Sequence, residues 1–472
     1  LRVDGGYHKR DGYITDPNTG RDFNNVDRYF VRGQAKFETT DVTFRLIGDY
    51  AQTDEACCGA INTGSGFVLS PFNSDGSVNT NNLLGRIASN LIETLAGTAP
   101  LGGAVGRDGI VRPFDPEGRQ MATSPNRDLT EKVKEWGLSG QLDWNLGDVT
   151  LTSITAYRDW RATRSQDIDF SGLDRAYRDG YKTGVKDFTQ EIRLKGSAFG
   201  GKLDWLVGGF YLNEKLNLTD VVRFGTQSDQ FVDGIFSEFT RALSGGLAPR
   251  QLFGTLPGIP LAGPALPRTP DGAGQVADRY QVDTEAFALF THNIINITDN
   301  VSLTLGLRYN RETKNIDANL NSAVPACSFW LNPASTPFRQ GLMAQGASPS
   351  NPLGLFSLAH LYTCNPTVNS EFNGTYNGKR TEDEFTGTAK LAFKLRDNIL
   401  LYGGYDRGYK SGGFNLGRGS VGSVVLGGNG AQVSGLGVGN ELVDAFEVGF
   451  KTNPVRGFQF NVAGFYQDFK GY

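Results

Sequence analysis

The chain of 472 residues contains no long hydrophobic run. No stretch reaches the roughly 18 uncharged apolar residues that a transmembrane helix requires, and the mean hydropathy is −0.32. These features exclude a helical membrane protein. They leave a membrane-spanning β-barrel open, because a barrel wall turns only every second side chain toward lipid and its average hydropathy stays low.

Residues that carry catalysis and metal binding are also scarce. The 3 His residues, His8, His292 and His360, are scattered, and no Gly-x-Ser-x-Gly elbow places a nucleophilic serine. The 4 Cys lack the paired spacing of a zinc site. A net charge of −4 provides no basic excess for nucleic acid. We therefore predict no enzyme activity, no cofactor, no metal centre and no nucleic-acid partner.

The chain begins at Leu1 without the basic and apolar regions of a secretory signal peptide. It ends at Tyr472 within an alternating segment. We expect both ends to be truncations of a longer protein.

What the chain does contain is alternation of apolar and polar residues. In the segment 301–310 the odd positions are Val, Leu, Leu, Leu and Tyr, and the even positions are Ser, Thr, Gly, Arg and Asn. This period of two predicts β-strands. A soluble β-sandwich alternates as well, but its strands usually have about 5–6 residues. The predicted strands are longer and lie near 1–8, 26–38, 42–54, 134–145, 149–163, 184–196, 202–222, 278–297, 301–318, 382–396, 398–410, 441–452 and 456–472.

The gaps between these strands alternate between short and long, with the longest near 55–133, 224–277 and 320–380. Transmembrane β-barrels have short periplasmic turns and long extracellular loops. The sequence therefore predicts an all-β protein, a transmembrane antiparallel β-barrel. About 13 strands with two open edges would leave bare backbone in lipid, so we expect them to be part of a larger barrel. The charged side chains predicted to point inward are Glu191, Arg193, Lys195, Arg308, Lys390, Lys394, Glu447 and Lys451.

The long loops contain the four cysteines. Cys327 and Cys364 share one loop outside the reducing cytosol, so we predict a disulfide between them. Three states stay open for the adjacent Cys57 and Cys58: a strained vicinal bridge, pairing with cysteines outside this chain, or free thiols.

Three further loop features allow more than one interpretation. The segment 16–22 resembles the start of a calcium loop with alternating oxygen ligands, but a polar turn with Pro and Gly explains it equally well. Apolar residues at helical spacing in 84–95 and 231–243, and more weakly in 353–363, predict short helices. Such helices either close over a ligand or only keep a long loop compact.

One motif resembles a known family. The segment Leu400–Asn415 reads LLYGGYDRGYKSGGFN, in which a strand enters a long loop. This pattern is similar to the barrel of TonB-dependent outer-membrane receptors of Gram-negative bacteria. Two later segments, 441–453 and 458–472, resemble that family's paired late strands, and 27–38 does so less specifically. The motif residues are Tyr402, Tyr405, Gly408, Tyr409, Lys410, Gly412, Gly413, Phe414 and Asn415.

The resemblance implies a 22-stranded barrel, an N-terminal plug and a box that the TonB energy-coupling complex grasps. Residues 1–472 would be a partial barrel domain without plug or final strands. It further implies a monomer that crosses the cell outer membrane many times, in contact with lipid and lipopolysaccharide. The implied function is energy-coupled uptake of a scarce ligand, most commonly a ferric siderophore, with cobalamin, other metal chelates or carbohydrates as alternatives.

Aromatic and cationic loop residues suit an anionic, ring-bearing chelate through stacking and charge. The predicted ligand contacts are Phe329, Trp330, Arg339, Tyr409, Lys410, Phe414 and Arg418. The principal alternative function is a passive porin or substrate-specific channel. A third class is the membrane anchor of an adhesin or autotransporter.

Overall fold

A computed structural model of the chain describes residues 1–16, 19–56, 59, 104–105, 111–112, 119–121, 123–168, 174–229, 267–337, 339–340, 360, 363–426, 430 and 432–471. Among these residues, no helix combines the length and the apolar character needed to cross a bilayer. The predicted helices at 84–95 and 231–243, most of 353–363, and Cys57 and Cys58 lie outside the described residues.

Thirteen long strands form one antiparallel sheet, in which each strand is hydrogen-bonded to the next one in the chain. Three short strands, Val222–Phe224, Gly274–Gln275 and Ser322–Ala323, extend this sheet at one rim. The long strands are β1 Arg2–Arg10, β2 Val26–Glu38, β3 Val42–Glu55, β4 Thr130–Asn145, β5 Val149–Asp167, β6 Ala176–Ala198, β7 Leu203–Asp220, β8 Asp278–Thr298, β9 Val301–Leu320, β10 Gly374–Arg396, β11 Ile399–Lys410, β12 Glu441–Val455 and β13 Phe458–Lys470.

The predicted barrel wall is confirmed, and the observed strands follow the predicted ones closely. The main differences lie at the long-loop rim, where β4, β6 and β10 begin at Thr130, Ala176 and Gly374, earlier than predicted. These extensions continue the backbone ladder, for example between Leu320 and Gly374. They carry polar residues on both faces, so the alternation on which the prediction depended stops before the strands do.

The sheet has an apolar outer face and a polar inner face. Large side chains on the outer face, such as Leu307, Leu391 and Val448, are 50–67% exposed. The opposite face holds the charged residues predicted to point inward. Arg193, for instance, lies opposite Gly208, and Phe290 lies opposite both Gly208 and Arg308. This arrangement suits a wall between lipid and a wet interior.

A row of aromatic residues, the girdle, crosses the outer face toward the long-loop rim. It descends by about one residue per strand, which at about 3.3 Å per residue and about 4.8 Å between strands corresponds to a tilt of about 35°. Transmembrane barrels tilt their strands by about 35–45° and flank their apolar band with aromatics. The girdle consists of Tyr50, Trp136, Tyr157, Phe188, Tyr211, Phe287, Tyr309, Phe385, Tyr405, Phe446 and Tyr466.

The outer face changes character immediately above the girdle. Two residues closer to the long-loop rim, every one of these strands presents a polar or charged side chain, and we call this ring the collar. Its members are Gln52, Lys134, Asp159, Lys186, Asn213, Glu285, Arg311, Asp383, Arg407, Asp444 and Asp468. A change from aromatic to ionic residues within one pleat marks the boundary between an apolar phase and water.

Candidate functional site

The inner face at the long-loop rim forms a vestibule, and the described residues of the segment 411–440, between β11 and β12, pack into it. Val421 and Leu436 of that segment are buried against the inner face of β7, β8 and β9, and Phe414 and Leu416 pack beside them. The strand residues of this cluster are Leu218, Tyr280, Val282, Ile316, Ala318 and Leu320. Apolar residues on the inner face of a polar bore are unusual. Here they hold a loop inside the mouth of the barrel.

A buried ion pair fastens the same segment to the wall. Arg418 and Asp278, at the start of β8, both have 0% of their side chains exposed. The Arg418 guanidinium donates to both carboxylate oxygens, with Nε 2.8 Å from Oδ2 and Nη2 2.5 Å from Oδ1. Its Nη1 donates to the carbonyl of Asn369 and to Oδ1 of Asn373. The charge is thus paired and its remaining donors are used, which a buried ion pair requires.

A second polar contact involves Glu371 in the neighbouring loop. Its carboxylate accepts a hydrogen bond from the Ser423 hydroxyl at 2.6 Å and from the Val424 amide at 2.8 Å. Nε2 of His360 lies 3.1 Å from the same hydroxyl. Burial lowers the pKa of His360 to about 4, so its imidazole is neutral at pH 7.

Serine, histidine and a carboxylate also occur together in hydrolase triads, but here the arrangement differs. In a triad the carboxylate orients the histidine, whereas Glu371 binds Ser423 directly. Nδ1 of His360, which a triad carboxylate would contact, is buried without a partner among the described residues. The group therefore attaches Ser423 and Val424 to the loop before β10 and lacks the order of contacts found in a triad.

Cys327 and Cys364 form a disulfide in the structure, with their sulfur atoms 2.06 Å apart. The bond joins the helix Pro325–Leu331 to the end of the loop that precedes β10. Trp330, in the same helix, is 0% exposed, and its ring centroid lies 5.8 Å from that of His360. The cross-linked loop therefore forms one packed unit with the segment fastened to Glu371.

The predicted ligand contacts occupy very different environments. Trp330 and Arg418 are buried inside the loop packing. Phe329 and Phe414 are half-buried. Arg339, also half-buried, donates to the carbonyl oxygens of Trp330 and Asn332 close to the end of the short helix.

The two motif residues at the end of β11 are closer to solvent. The Tyr409 hydroxyl donates to Glu382 at 3.3 Å, and its ring is half-buried. Lys410 is exposed, with Nζ 3.0 Å from the Glu441 carboxylate. Of the seven predicted contacts, Lys410 is thus the one that presents its side chain fully to solvent. The sequence motif does not distinguish it from its buried neighbours.

The opposite wall of the vestibule, formed by β2 to β5, is ionic. Arg28 pairs with Glu55 at 2.8 Å, and Arg158 lies between Asp49 and Glu135 at 3.1 and 3.3 Å. The vestibule thus has one wall filled by apolar loop packing and one wall lined by partly exposed charges.

The inner face holds an aromatic pair that the alternation did not predict. Phe210 and Phe290 point inward, and the guanidinium of Arg308 lies 5.6 and 5.4 Å from their ring centroids. Nε of Arg308 donates to Asn310 at 2.6 Å. The sequence contains no clear signal for this pair, because the inward-facing positions of β7 and β8 also hold apolar residues such as Leu206, Leu212 and Ala288.

Loops on the far side of the rim are joined by Arg127. Its guanidinium donates to Asp174 at 2.7 and 2.8 Å and to Asp271 at 2.6 Å, and lies 3.7 Å from the Tyr177 ring centroid. Burial would raise the pKa of Asp174, but hydrogen bonds from Arg127 and Thr226 outweigh it and hold that pKa below its usual value. This cluster ties three loops together.

The segment proposed as a calcium loop is only partly described. The Asp16 carboxylate is buried and accepts hydrogen bonds from the hydroxyls of Thr19 and Thr123, at 2.8 and 2.6 Å. These contacts fit the polar-turn interpretation. Within the described part of the chain, no group of three or more His, Cys, Asp or Glu side chains is arranged to hold a metal ion.

Solved structures with similar folds include three siderophore or ferric-chelate receptors. The ferric yersiniabactin uptake receptor FyuA from Yersinia pestis matches 98% of this chain and 49% of its own, at 12% identity and a TM-score of 0.55. For the siderophore receptor PiuA from Acinetobacter baumannii, the match covers 98% of this chain and 52% of PiuA, at 15% identity and a TM-score of 0.52. For the ferric-catecholate import receptor Fiu from E. coli, the match covers 99% of this chain and 54% of Fiu, at 11% identity and a TM-score of 0.52. At these identities the likeness shows the fold, and the chain spans about half the length of each structure.

No curated protein matches the sequence of this chain. The family model described as TonB dependent receptor-like, beta-barrel matches residues 151–472, which is more than half of the chain. That range includes β5 to β13, the collar of these strands and the whole 411–440 segment. The chain therefore belongs to the TonB-dependent receptor β-barrel family.

Proposed function

We propose that this chain is the barrel of an outer-membrane receptor that imports a scarce ligand, a ferric siderophore, by energy coupling through the TonB complex. The family match carries this proposal. The fold supports it, because a tilted wall with an apolar outer face, a girdle and a collar suits an outer membrane. We propose that the receptor is monomeric and that segments outside this chain supply the plug and the coupling box.

The packing in the vestibule favours a gated receptor over a passive porin, which is the second candidate. An open porin needs a continuous aqueous bore. Here the segment 411–440 is packed against the inner face and fastened by the buried pair of Arg418 and Asp278. A large solute could use the space that this segment fills only after the segment had moved.

The proposed ligand contacts are the seven loop residues, and four of them fall into two groups by exposure, while Phe329, Arg339 and Phe414 are half-buried. Lys410 and Tyr409 are reachable as the loops stand, and their cation and ring suit an anionic, ring-bearing chelate. Trp330 and Arg418 become reachable only after the loop packing opens. Below them, Arg308 between Phe210 and Phe290 offers a similar combination of charge and ring on the inner face.

Uptake measurements separate the two candidate functions. Cells that express the full-length receptor would be given iron-55 chelated by a panel of catecholate, hydroxamate and carboxylate siderophores, with and without a protonophore. We expect one ligand class to accumulate only while the proton gradient is intact. Equal entry of all chelates with the gradient abolished would support a porin.

A site variant tests the reachable contacts. Lys410→Gln is expected to weaken binding of the transported chelate by about 10- to 150-fold, because a charge-assisted contact contributes about 1.5–3 kcal/mol. The matched control is Lys379→Gln, which removes an exposed lysine from the outer face of β10. Equal binding by both variants would remove Lys410 from the site.

A further inference from the structure

Two carboxylates lie next to each other on the inner face of the vestibule, at the border between its two walls. Asp187 of β6 is the direct cross-strand partner of Glu214 of β7. Each adjoins a collar residue of its own strand, so both side chains point inward. Direct partners have Cβ atoms about 4.5–5.5 Å apart, and like charges in this position destabilise a sheet. A positive charge between the two strands would therefore stabilise the pair.

The neighbouring strand β5 does not provide that charge. Among the described residues, neither carboxylate of the pair forms an ion pair. Arg158 of β5 is the cross-strand partner of Asp187. Its guanidinium instead contacts Asp49 and Glu135, at 3.1 and 3.3 Å. Burial and the adjacent Asp187 charge raise the pKa of Glu214, which lies one residue above the collar.

The cation on the other side, Lys314 of β9, is also engaged. Its Nζ contacts the Glu312 carboxylate at 2.5 Å. The same nitrogen donates to the Ser411 hydroxyl and to the Gly412 carbonyl, both at 2.7 Å. These contacts occupy the three donors of an ammonium group. The described side chains thus leave the acidic pair without a counter-charge of its own.

A third oxygen lies beside the pair. Thr284 of β8 is the direct cross-strand partner of Glu214 and points inward next to it. Thr284 is 3% exposed, and its hydroxyl has no hydrogen-bond partner among the described residues. Oδ1 of Asp187 is likewise buried without a partner there. Buried polar atoms are nearly always hydrogen-bonded, so these two oxygens indicate a ligand that supplies donors.

The chemistry of the three side chains matches an organic cation. An ammonium group has three donors, and two carboxylates with one hydroxyl provide three acceptors. Hydrogen bonds between an ammonium and a carboxylate are among the strong ones in proteins. A metal ion fits less well, because calcium takes six to eight oxygens and no group of three or more acidic or His side chains is arranged for a metal in the described part of the chain.

We propose that Asp187, Glu214 and Thr284 bind a primary ammonium group of the imported ligand. The proposal rests on the proposed function and narrows its ligand to a chelate with a cationic arm. The anionic part of the same chelate faces Lys410 and Tyr409. Lys314, the cross-strand partner of Thr284, holds the start of the segment 411–440, so the arm reaches the hydroxyl when this segment moves.

The test is isothermal titration calorimetry of the full-length receptor in detergent. The probes are three ferric chelates, a catecholate, a hydroxamate and a carboxylate, each prepared with a pendant aminopropyl group and again with that amine acetylated. The acetylated form keeps the iron centre and loses the positive charge. We expect at least one chelate to bind about 10- to 150-fold more tightly with its amine free, which is the range for one charge-assisted contact.

Variants assign this preference to the site. Asp187→Asn combined with Glu214→Gln is expected to abolish the preference and to leave binding of the acetylated form unchanged, which also shows that the variant is folded. Thr284→Val is expected to reduce the preference by about 2- to 12-fold, because it removes one neutral hydrogen bond. The matched control Asp204→Asn removes a carboxylate from the inner face of β7 near its short turn, and the preference is expected to stay.

Three results would overturn the proposal: equal binding of both forms of every chelate, no binding of any chelate with a free amine, or a preference that survives in the double variant. An equal loss in Asp204→Asn would do the same. Binding in detergent requires neither a proton gradient nor the coupling complex. A failure of energy-coupled uptake therefore leaves this result intact, whereas energy-coupled uptake restricted to chelates without a cationic group overturns this proposal alone.

Discussion

Replacement of Arg418 tests whether the buried ion pair holds the loop inside the vestibule. Arg418→Ala leaves the carboxylate of Asp278 buried with no cation, at a position where both side chains are 0% exposed. Removing one partner of such a pair costs about 3–5 kcal/mol. The barrel ladder does not involve this pair, so we expect the cost to fall on the docking of the 411–440 segment.

The assay is hydrogen–deuterium exchange of the backbone amides in 411–426 and 432–440. A cost of about 3–5 kcal/mol corresponds to faster exchange by about 10²-fold to about 4 × 10³-fold, at about 1.4 kcal/mol per factor of ten. The strand amides of β8 and β9 are expected to exchange at the native rate. The control Lys410→Ala breaks an exposed pair with Glu441, for which about 0–1 kcal/mol is expected.

A paired replacement separates loss of charge from loss of packing. Arg418→Met combined with Asp278→Leu removes both charges and keeps apolar volume, which is often neutral for buried pairs. We expect this double variant to restore slow exchange in the segment. Unchanged exchange in Arg418→Ala would refute the assignment of the pair as the fastening. Fast exchange in both variants would mean that packing, not charge, decides the docking.

Three more predictions concern the loops. Replacing Cys327 and Cys364 by Ser removes a disulfide that joins positions 37 residues apart. We expect this to destabilise the docked loop by about 3–4 kcal/mol. Unaltered resistance of the loop to proteolysis would contradict this prediction. Burial lowers the pKa of His360 from 6.5 to about 4, so the state in which the loop is open binds the proton more tightly. Loop docking should therefore weaken as the pH falls from about 6.5 to 4. In His360→Gln, the hydrogen–deuterium exchange of the loop amides should no longer show this pH dependence. Arg127→Ala leaves the buried carboxylate of Asp174 unpaired, and calorimetry should show loop docking weakened by about 2–4 kcal/mol with the main barrel transition unchanged.

The wall of the barrel was largely predictable from the sequence because its signal is local. Each strand residue faces either lipid or the interior, so the two-residue period reports the environment directly. Thirteen strands were expected, and the structure has thirteen long strands in the predicted order. The predicted strands were too short at the ends that begin at Thr130 and Gly374. Both faces of the sheet contact water there, so apolar and polar residues do not alternate.

The loop residues show the limit of that reasoning. Trp330 and Arg418 were predicted as ligand contacts from their chemistry, yet the structure buries both. Lys410, chosen on the same grounds, is exposed. Residue type expresses what a side chain is able to bind, but not which partner the fold brings to it.

The sequence by itself determined the strands, their alternating faces and the alternation of short and long connections. Each of these follows from contacts among residues that are adjacent in one strand or in neighbouring strands. Only the tertiary structure decided that Arg418 contacts Asp278 across 140 residues of chain, and that Ser423 contacts Glu371 across 52 residues. Contacts of this kind depend on strand register and on the path of the long loops. A loop path is determined by packing against residues that are distant in the sequence, and no local pattern encodes it.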